Sequence, residues 1–227
     1  DSPQIYFIIP FLNIVYYFIK NQYIKSKKMH LNIKKSDFVK SGTEPSHYPE
    51  DIYPEFFFAG KSNAGKSSML NKICNRKKLA ITSKKPGRTQ LINFFLINNN
   101  ISFVDIPGYG YANTPKSVSK LWEKMVLNYL SNRKNIAGMF IAIDIRRGVE
   151  DLDRSMIDLC SSFDIKSNII ITKSDKVSKN EKMKSKKIVE DEFLTYKNIN
   201  NINTFSSKNG DGVIDVLKII EEVCKNN

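Results

Sequence analysis

Gly60-Lys61-Ser62-Asn63-Ala64-Gly65-Lys66-Ser67 fits the pattern G-x-x-x-x-G-K-S. Ahead of it runs Glu55-Phe56-Phe57-Phe58-Ala59, short, apolar and aromatic, which predicts a buried strand. Behind it Met69, Leu70, Ile73 and Cys74 recur at helical spacing. Strand, glycine-bracketed loop and helix in that order form the setting in which such a loop wraps a phosphate. Gly60 and Gly65 let the backbone approach an anion without side-chain obstruction. Successive N–H groups of Asn63, Ala64, Gly65, Lys66, Ser67 and Ser68, at the start of the helix, would point at the phosphates. Lys66 is expected to reach the β- and γ-phosphates, and the Ser67 hydroxyl to take one position on Mg²⁺.

Downstream, Asn75-Arg76-Lys77-Lys78-Leu79-Ala80 and Ser83-Lys84-Lys85-Pro86-Gly87-Arg88-Thr89-Gln90 read as a basic loop with a Pro-Gly break. Leu91–Ile97 and Ile101–Val104 read as strands joined by Asn98-Asn99-Asn100, an antiparallel hairpin. The second strand ends in Asp105-Ile106-Pro107-Gly108, a D-x-x-G lying 39 residues after Lys66. An Asp there can hold Mg²⁺, commonly through water, and the Gly108 N–H can meet a γ-phosphate and swing away when it leaves.

Val118, Leu121, Trp122, Met125 and Tyr129 form a helical stripe that reads as core packing. Ile136–Ile143 is a strand closed by Asp144-Ile145-Arg146-Arg147-Gly148, and a helix with Leu152, Met156, Leu159, Cys160 and Phe163 follows. Asn168–Ile171 is a buried strand ending in Thr172-Lys173-Ser174-Asp175. Here the chemistry selects a base. The Asp175 carboxylate can accept from N1–H and the 2-amino group of guanine, whereas adenine would leave those acceptors unpaired. The Lys173 stem can lie against the base plane. A lysine-rich helix over residues 179–193 reads as a solvated face. Phe205-Ser206-Ser207-Lys208 matches an S-A-K-type loop whose backbone meets the guanine O6, and the last helix carries Val213, Val216, Leu217, Ile220 and Val223. Strands alternating with helices, apart from the hairpin, predict an α/β fold whose mostly parallel sheet is covered on both faces. Ligand would then lie at the strands' carboxyl ends.

The chain has 227 residues, 41% of them hydrophobic, and a net charge of +13. Most of the excess falls after residue 54, so a basic folded domain with an anionic partner, RNA first, is expected. Cys74, Cys160 and Cys224 are far apart within apolar patterns and read as small core residues rather than disulfides or metal ligands. Residues 5–19 form an apolar run, broken by Pro10 and Asn13, that is short for a transmembrane helix. Six lysines and no acid follow between residues 20 and 36, as in organelle transit regions. Residues 1–50 are therefore read as a targeting or disordered extension and 51–227 as the folded domain.

Four elements in order, G-x-x-x-x-G-K-S, D-x-x-G, T-K-x-D and S-S-K, resemble the GTPase G domain. Gly60-Lys-Ser-Asn-Ala-Gly-Lys-Ser-Ser68, Pro86-Gly-Arg-Thr-Gln-Leu-Ile-Asn-Phe-Phe95, Asp105-Ile-Pro-Gly-Tyr-Gly-Tyr-Ala112 and Asp144-Ile-Arg-Arg-Gly148 resemble more particularly the EngB family of TRAFAC GTPases, over residues 52–225. The resemblance implies a Ras-like fold with a six-stranded sheet, GTP and GDP as ligands, Mg²⁺ dependence and a role in assembling the large ribosomal subunit. It assigns Thr89 to the switch I threonine that completes the Mg²⁺ shell; switch I is Lys84–Gln90, and Gly87, Arg88, Thr89, Gln90 and Leu91 are expected among the nucleotide-binding residues. Switch II is Ile106–Ala112. It further implies an rRNA partner and, together with the N-terminal stretch, an organellar location, with the cytoplasm as the alternative; no DNA partner, a monomer and no lasting membrane anchor after processing are also expected. Retention of residues 5–19 would instead suit a membrane-tethered switch in trafficking or division. Tyr109 stands where Ras-like enzymes place a water-orienting Gln, so slow intrinsic hydrolysis is expected. Asn63 stands where potassium-activated relatives hold K⁺.

Overall fold

The computed structural model describes residues 31–80, 91–110 and 116–226, and its elements fall within one unit, Ile33–Asn227. The apolar run over residues 5–19 and the lysines up to residue 28 lie outside the described residues. Seven strands form one sheet: β1 (Ser36–Gly42), β2 (Glu55–Gly60), β3 (Ile92–Ile97), β4 (Ile101–Asp105), β5 (Ile136–Asp144), β6 (Ser167–Thr172) and β7 (Ile199–Thr204). The helices are α1 (Lys66–Ile73), α2 (Lys116–Asn132), α3 (Asp151–Ser162), α4 (Lys179–Glu192) and α5 (Val213–Asn226). Strand order is β1-β3-β4-β2-β5-β6-β7. The pairs from β4 to β7 are parallel, and β1–β3 and β3–β4 are antiparallel.

The expected α/β architecture is present, with one strand more than the resemblance implies. β1 comes from the stretch assigned to the extension, so the boundary expected at residue 50/51 falls inside the folded unit. Phe38 pairs with Phe95, a register irregularity follows before Lys40, and Phe38 and Val39 stay 57% and 45% exposed. An edge strand with lysine, a bulge and no alternating burial carries little periodic signal.

β2 sits in the middle of the parallel part and all six of its residues are buried, as expected of a strand covered on both faces. The two-residue period divides its phenylalanines. Phe57 joins a cluster with Val126 and Tyr129 of α2 and with Met156, Ile157 and Cys160 of α3. Phe56 and Phe58 point the other way, where Phe58 stacks on Phe140 at 5.3 Å and meets Phe103 edge-on at 5.1 Å. The hairpin follows from its turn: Asn98 and Asn99 both have positive φ (49° and 62°), the conformation a two-residue primed turn needs and Asn tolerates. Cys74 and Cys160 are buried and all three cysteines are free. Burial pushes the Cys74 and Cys160 thiols up to about 12, so neither is a ready thiolate.

The end of the sheet opposite the glycine loop is closed by a buried ion pair. Glu55, fully buried, accepts from Arg133 (2.7 Å and 3.2 Å) and from Tyr129 Oη (2.8 Å). Arg133 also donates to the Pro49 carbonyl at 2.6 Å, tying the chain ahead of β2 to the end of α2.

Candidate functional site

The carboxyl ends of β2, β4, β5 and β6 converge on the glycine loop. The loop leaves β2 at Gly60, whose φ is +149° and where a Cβ would lie 2.6 Å from the Ala142 carbonyl of β5. It enters α1 at Gly65 with φ +100°, a left-handed conformation that glycine takes without strain. Between the glycines, Asn63 is exposed with φ +64° and Ala64 is buried. The first-turn N–H groups of Lys66, Ser67 and Ser68 have no acceptor within the helix, so this cradle presents donors to an anion.

Lys66 and Asp105, both buried, form an ion pair across the head of the loop. The half-buried Ser67 hydroxyl lies in the next position along α1. Hydroxyl and carboxylate oxygens are the donors Mg²⁺ takes, usually keeping several waters and phosphate oxygens besides. Among the described residues no three His, Cys, Asp or Glu side chains gather, so the offer is a phosphate-completed site and not an all-protein cage. Gly87, Arg88, Thr89 and Gln90 lie outside the described residues; Leu91, just before β3, is 43% exposed.

After Asp105 the D-x-x-G segment is pinned along its length. Ile106 is buried in the core, so its side chain lines no ligand surface. Trp122 Nε1 donates to the Pro107 carbonyl at 2.9 Å, and Ser62 N–H donates to the Tyr109 carbonyl at 2.8 Å. Tyr109 does not face the loop. It is 5% exposed, packs edge-on against Trp122 at 5.6 Å and donates its hydroxyl to Asp153 of α3 at 2.6 Å. Burial, with the Asp153 carboxylate beside it, holds the phenol well above its usual value. Burial also raises the Asp153 carboxyl, partly opposed by the Tyr109 hydroxyl and the Glu150 N–H. Lys61 turns outward to pair with Glu150.

The third cluster sits at the ends of β5 and β6. Thr172 Oγ1 contacts the Ala64 carbonyl and lies 3.1 Å from that of Ile143, fastening the glycine loop to both strands. Lys173, at φ +57°, reaches back to the Asn63 carbonyl (2.6 Å) and to Asp144 (2.9 Å). Asp175 accepts from Ser206 Oγ at 2.6 Å, and that hydrogen bond holds its carboxyl below the usual range against the opposing pull of burial. Ser174 N–H donates to the Phe205 carbonyl (3.1 Å), and Phe205 N–H to Ile171 (2.8 Å). Phe205 itself is a core side chain, so it serves the loop through its backbone, while Ser207 is half-buried beside it.

Two residues received no role in the sequence reading. Asp144 is 2% exposed and accepts from the Arg146 N–H, from Arg146 Nε and Nη2, and from Lys173. Burial alone would raise its carboxyl, but the Arg146 and Lys173 hydrogen bonds outweigh it and hold it far below the usual range. The available signal was position: like Asp105, it is the last residue of a parallel strand. Asn71 of α1 brackets Ala80, donating to its carbonyl (2.9 Å) and accepting from its N–H (2.8 Å). The bracket closes a loop that exposes Arg76, Lys77 and Lys78.

A family model described as "50S ribosome-binding GTPase" matches residues 55–173. A "Probable GTP-binding protein EngB" from Citrifermentans bemidjiense is 44% identical over 189 residues, 82% of this chain and 88% of the relative. The chain belongs to the EngB family of GTPases. A further EngB relative, from Clostridium kluyveri, is 42% identical over 193 residues, 85% of this chain and 98% of its own. Among solved structures, that of a probable GTP-binding protein EngB superposes with a TM-score of 0.62 at 23% identity, covering 76% of this chain and all of the other. Era crystallised with MgGDPNP and part of 16S ribosomal RNA superposes at 0.58 and 20% identity, over 77% and 57%. At those identities the structures show the shared Ras-like fold. Membership in EngB makes this chain a GTP-binding protein and a GTP hydrolase.

Proposed function

We propose that this EngB-family GTPase is a Mg²⁺-dependent switch acting on the large ribosomal subunit during its assembly. The observation that carries the reading is the Asn71–Ala80 bracket. It sets the exposed Arg76-Lys77-Lys78 loop between α1, which starts at the phosphate cradle, and the segment read as switch I. The description of the matching family as 50S ribosome-binding supports the same partner.

The residue roles proposed here join the described geometry to those that the resemblance implies. Gly60, Asn63, Ala64, Gly65, Lys66, Ser67 and Ser68 hold the phosphates, and Lys66 trades its Asp105 partner for them. Ser67 and, by the resemblance, Thr89 would hold Mg²⁺, and Asp105 would support it through water. Mg²⁺ would supply charge neutralisation between the β- and γ-phosphates. Thr172, Lys173, Ser174 and Asp175 with Phe205, Ser206 and Ser207 enclose guanine. Gly108 reads the γ-phosphate, and its segment couples that reading through Trp122 to α2.

Sedimentation of the full chain with large subunits, in a non-hydrolysable GTP analogue, in GDP and without nucleotide, tests the switch. Association favoured by the analogue is expected. Equal recovery in all three states would remove the nucleotide switch, and no recovery while guanine nucleotide still binds would remove the ribosome from the account and leave the GTPase. A tethered switch would need its anchor elsewhere than in these helices: none among the described residues is long and apolar enough to cross a membrane.

A further inference from the structure

Leu121, placed by its spacing in a core stripe, is 64% exposed, and it borders a face of α2 that the sheet does not use. The inner face of the helix is occupied. Met125, Val126, Tyr129 and Leu130 are buried in the core, and Trp122 holds the Pro107 carbonyl. Lys120, Lys124, Leu127 and Ser131 are all exposed, and at 3.6 residues per turn they fall within about 60° of one another. Lys134, two residues past the helix end, is exposed as well.

Charge sets this face apart. Glu123 is the only acid in α2, and its carboxylate accepts from Ser119 one turn back. Among the described residues Lys120, Lys124 and Lys134 pair with no carboxylate. α4 differs: five lysines share its length with four acids, and Lys182, Lys186 and Lys187 are paired. α2 also has no acid in its first turn, where α3, α4 and α5 each have one or two. An acid there would stabilise the helix through its dipole, so the charge pattern of α2 is not the one that favours the helix. The other helix without a first-turn acid is α1, whose N-terminus is the phosphate cradle.

We propose that the outer face of α2, through Lys120, Lys124 and Lys134, is a contact for the phosphate backbone of RNA, apart from the Arg76-Lys77-Lys78 loop. Charge complementarity names the occupant. Unpaired ammonium groups offer point charges to phosphates, and each such contact releases counterions from the polyanion. A protein partner fits less well, since lysine is depleted from protein–protein interfaces and two separate leucines make no continuous apolar patch. Tyr129 and Arg133 fasten the end of α2 to Glu55, so the lysines stand on a fixed element. Only the identity of the RNA rests on the large-subunit reading made above.

The test is binding of naked large-subunit rRNA, and of intact large subunits, to the full chain over a range of salt, with wild type compared to Lys120→Glu/Lys124→Glu/Lys134→Glu. Lys179→Glu/Lys184→Glu/Lys187→Glu makes the same change in net charge on the exposed face of α4 and serves as the control. GDP affinity, measured for each, reports that the fold is kept. The α2 variant is expected to lose about tenfold or more in rRNA affinity at about 0.15 M salt, and to flatten the slope of log affinity against log salt by about two. The control should stay within about threefold, because charges farther from the RNA than a Debye length of about 8 Å are largely screened. Equal losses in the two variants, or wild-type affinity in the α2 variant, would overturn the proposal. So would loss of subunit binding with naked rRNA still bound, which would make the partner of this face a protein. A wild type that binds rRNA and no large subunit, with the α2 variant losing the rRNA, would instead remove the ribosomal reading and leave this contact standing.

Discussion

Asp144 has its four lone-pair sites met by four donors, three from Arg146 and one from Lys173. Lys173 in turn holds the Asn63 carbonyl, so one buried carboxylate sets both the guanine-side lysine and the back of the phosphate loop. Asp144→Asn keeps the shape but has one acceptor oxygen and presents an N–H₂ to two cations. With a charge-assisted hydrogen bond contributing about 1.5–3 kcal/mol, release of GDP should quicken by about tenfold or more in stopped-flow measurements, with the circular dichroism of the fold unchanged. Asp175 offers a second residue-scale test. Its carboxyl is depressed by Ser206, so the charged form that accepts from guanine persists above the folded value and is lost only as pH falls through it. Ser206→Ala removes that hydrogen bond, raises the carboxyl toward its ordinary value, and should move the acidic fall in GDP affinity to higher pH. An unshifted acid limb would show that Ser206 does not govern Asp175. Lys66, Ser67, Asp105 and Asp175 were legible in the sequence because loop, strand end and spacing bind them to one chemistry. The burial of Tyr109 was not, since its partners, Trp122 and Asp153, arrive from other helices.

At the scale of elements, α2 is fixed at two levels. Trp122 near its middle holds the Pro107 carbonyl, and Tyr129 and Arg133 at its end hold Glu55. The second attachment is a buried ion pair, whose value is best exposed by breaking it. Arg133→Met leaves the fully buried Glu55 charge with only the Tyr129 and Ser102 hydroxyls and is expected to cost about 3–5 kcal/mol in urea unfolding. The double variant Glu55→Gln/Arg133→Met should recover much of that loss. Equal destabilisation in single and double variants would contradict the pairing account. The helices and the parallel strands other than β7 were readable from their apolar runs and periods, and the hairpin from three consecutive asparagines. β1 was not, because Ser36–Gly42 is an edge strand whose four central residues are exposed, so no face alternates. The lysines of α4 prove to be a solvated face in the plain sense: Lys186 and Lys187 pair with Glu190 and Asp191 one turn on, and Lys182 with Asp211.

Across the whole molecule, a charge of +13 makes association with nucleic acid steeply salt-dependent if it is used at all. The Arg76-Lys77-Lys78 loop concentrates part of that charge next to the phosphate cradle, where Lys77→Glu with Lys78→Glu should weaken large-subunit binding and flatten its salt dependence. Unchanged binding and slope would move the contact elsewhere. Composition gave only the sign of charge expected of a partner; the fold shows that the basic loop is closed by Asn71 onto Ala80. The account as a whole depends on one site reading guanine through Asp175 and phosphate through Lys66. Its most direct test is displacement of a fluorescent GDP from the full chain, with Mg²⁺ present, by GTP, GDP, ATP and ADP. The account predicts that the guanine nucleotides compete and that the adenine nucleotides are weaker by at least about a hundredfold, since adenine leaves the Asp175 acceptors unpaired. Equal displacement by ADP and GDP would contradict it.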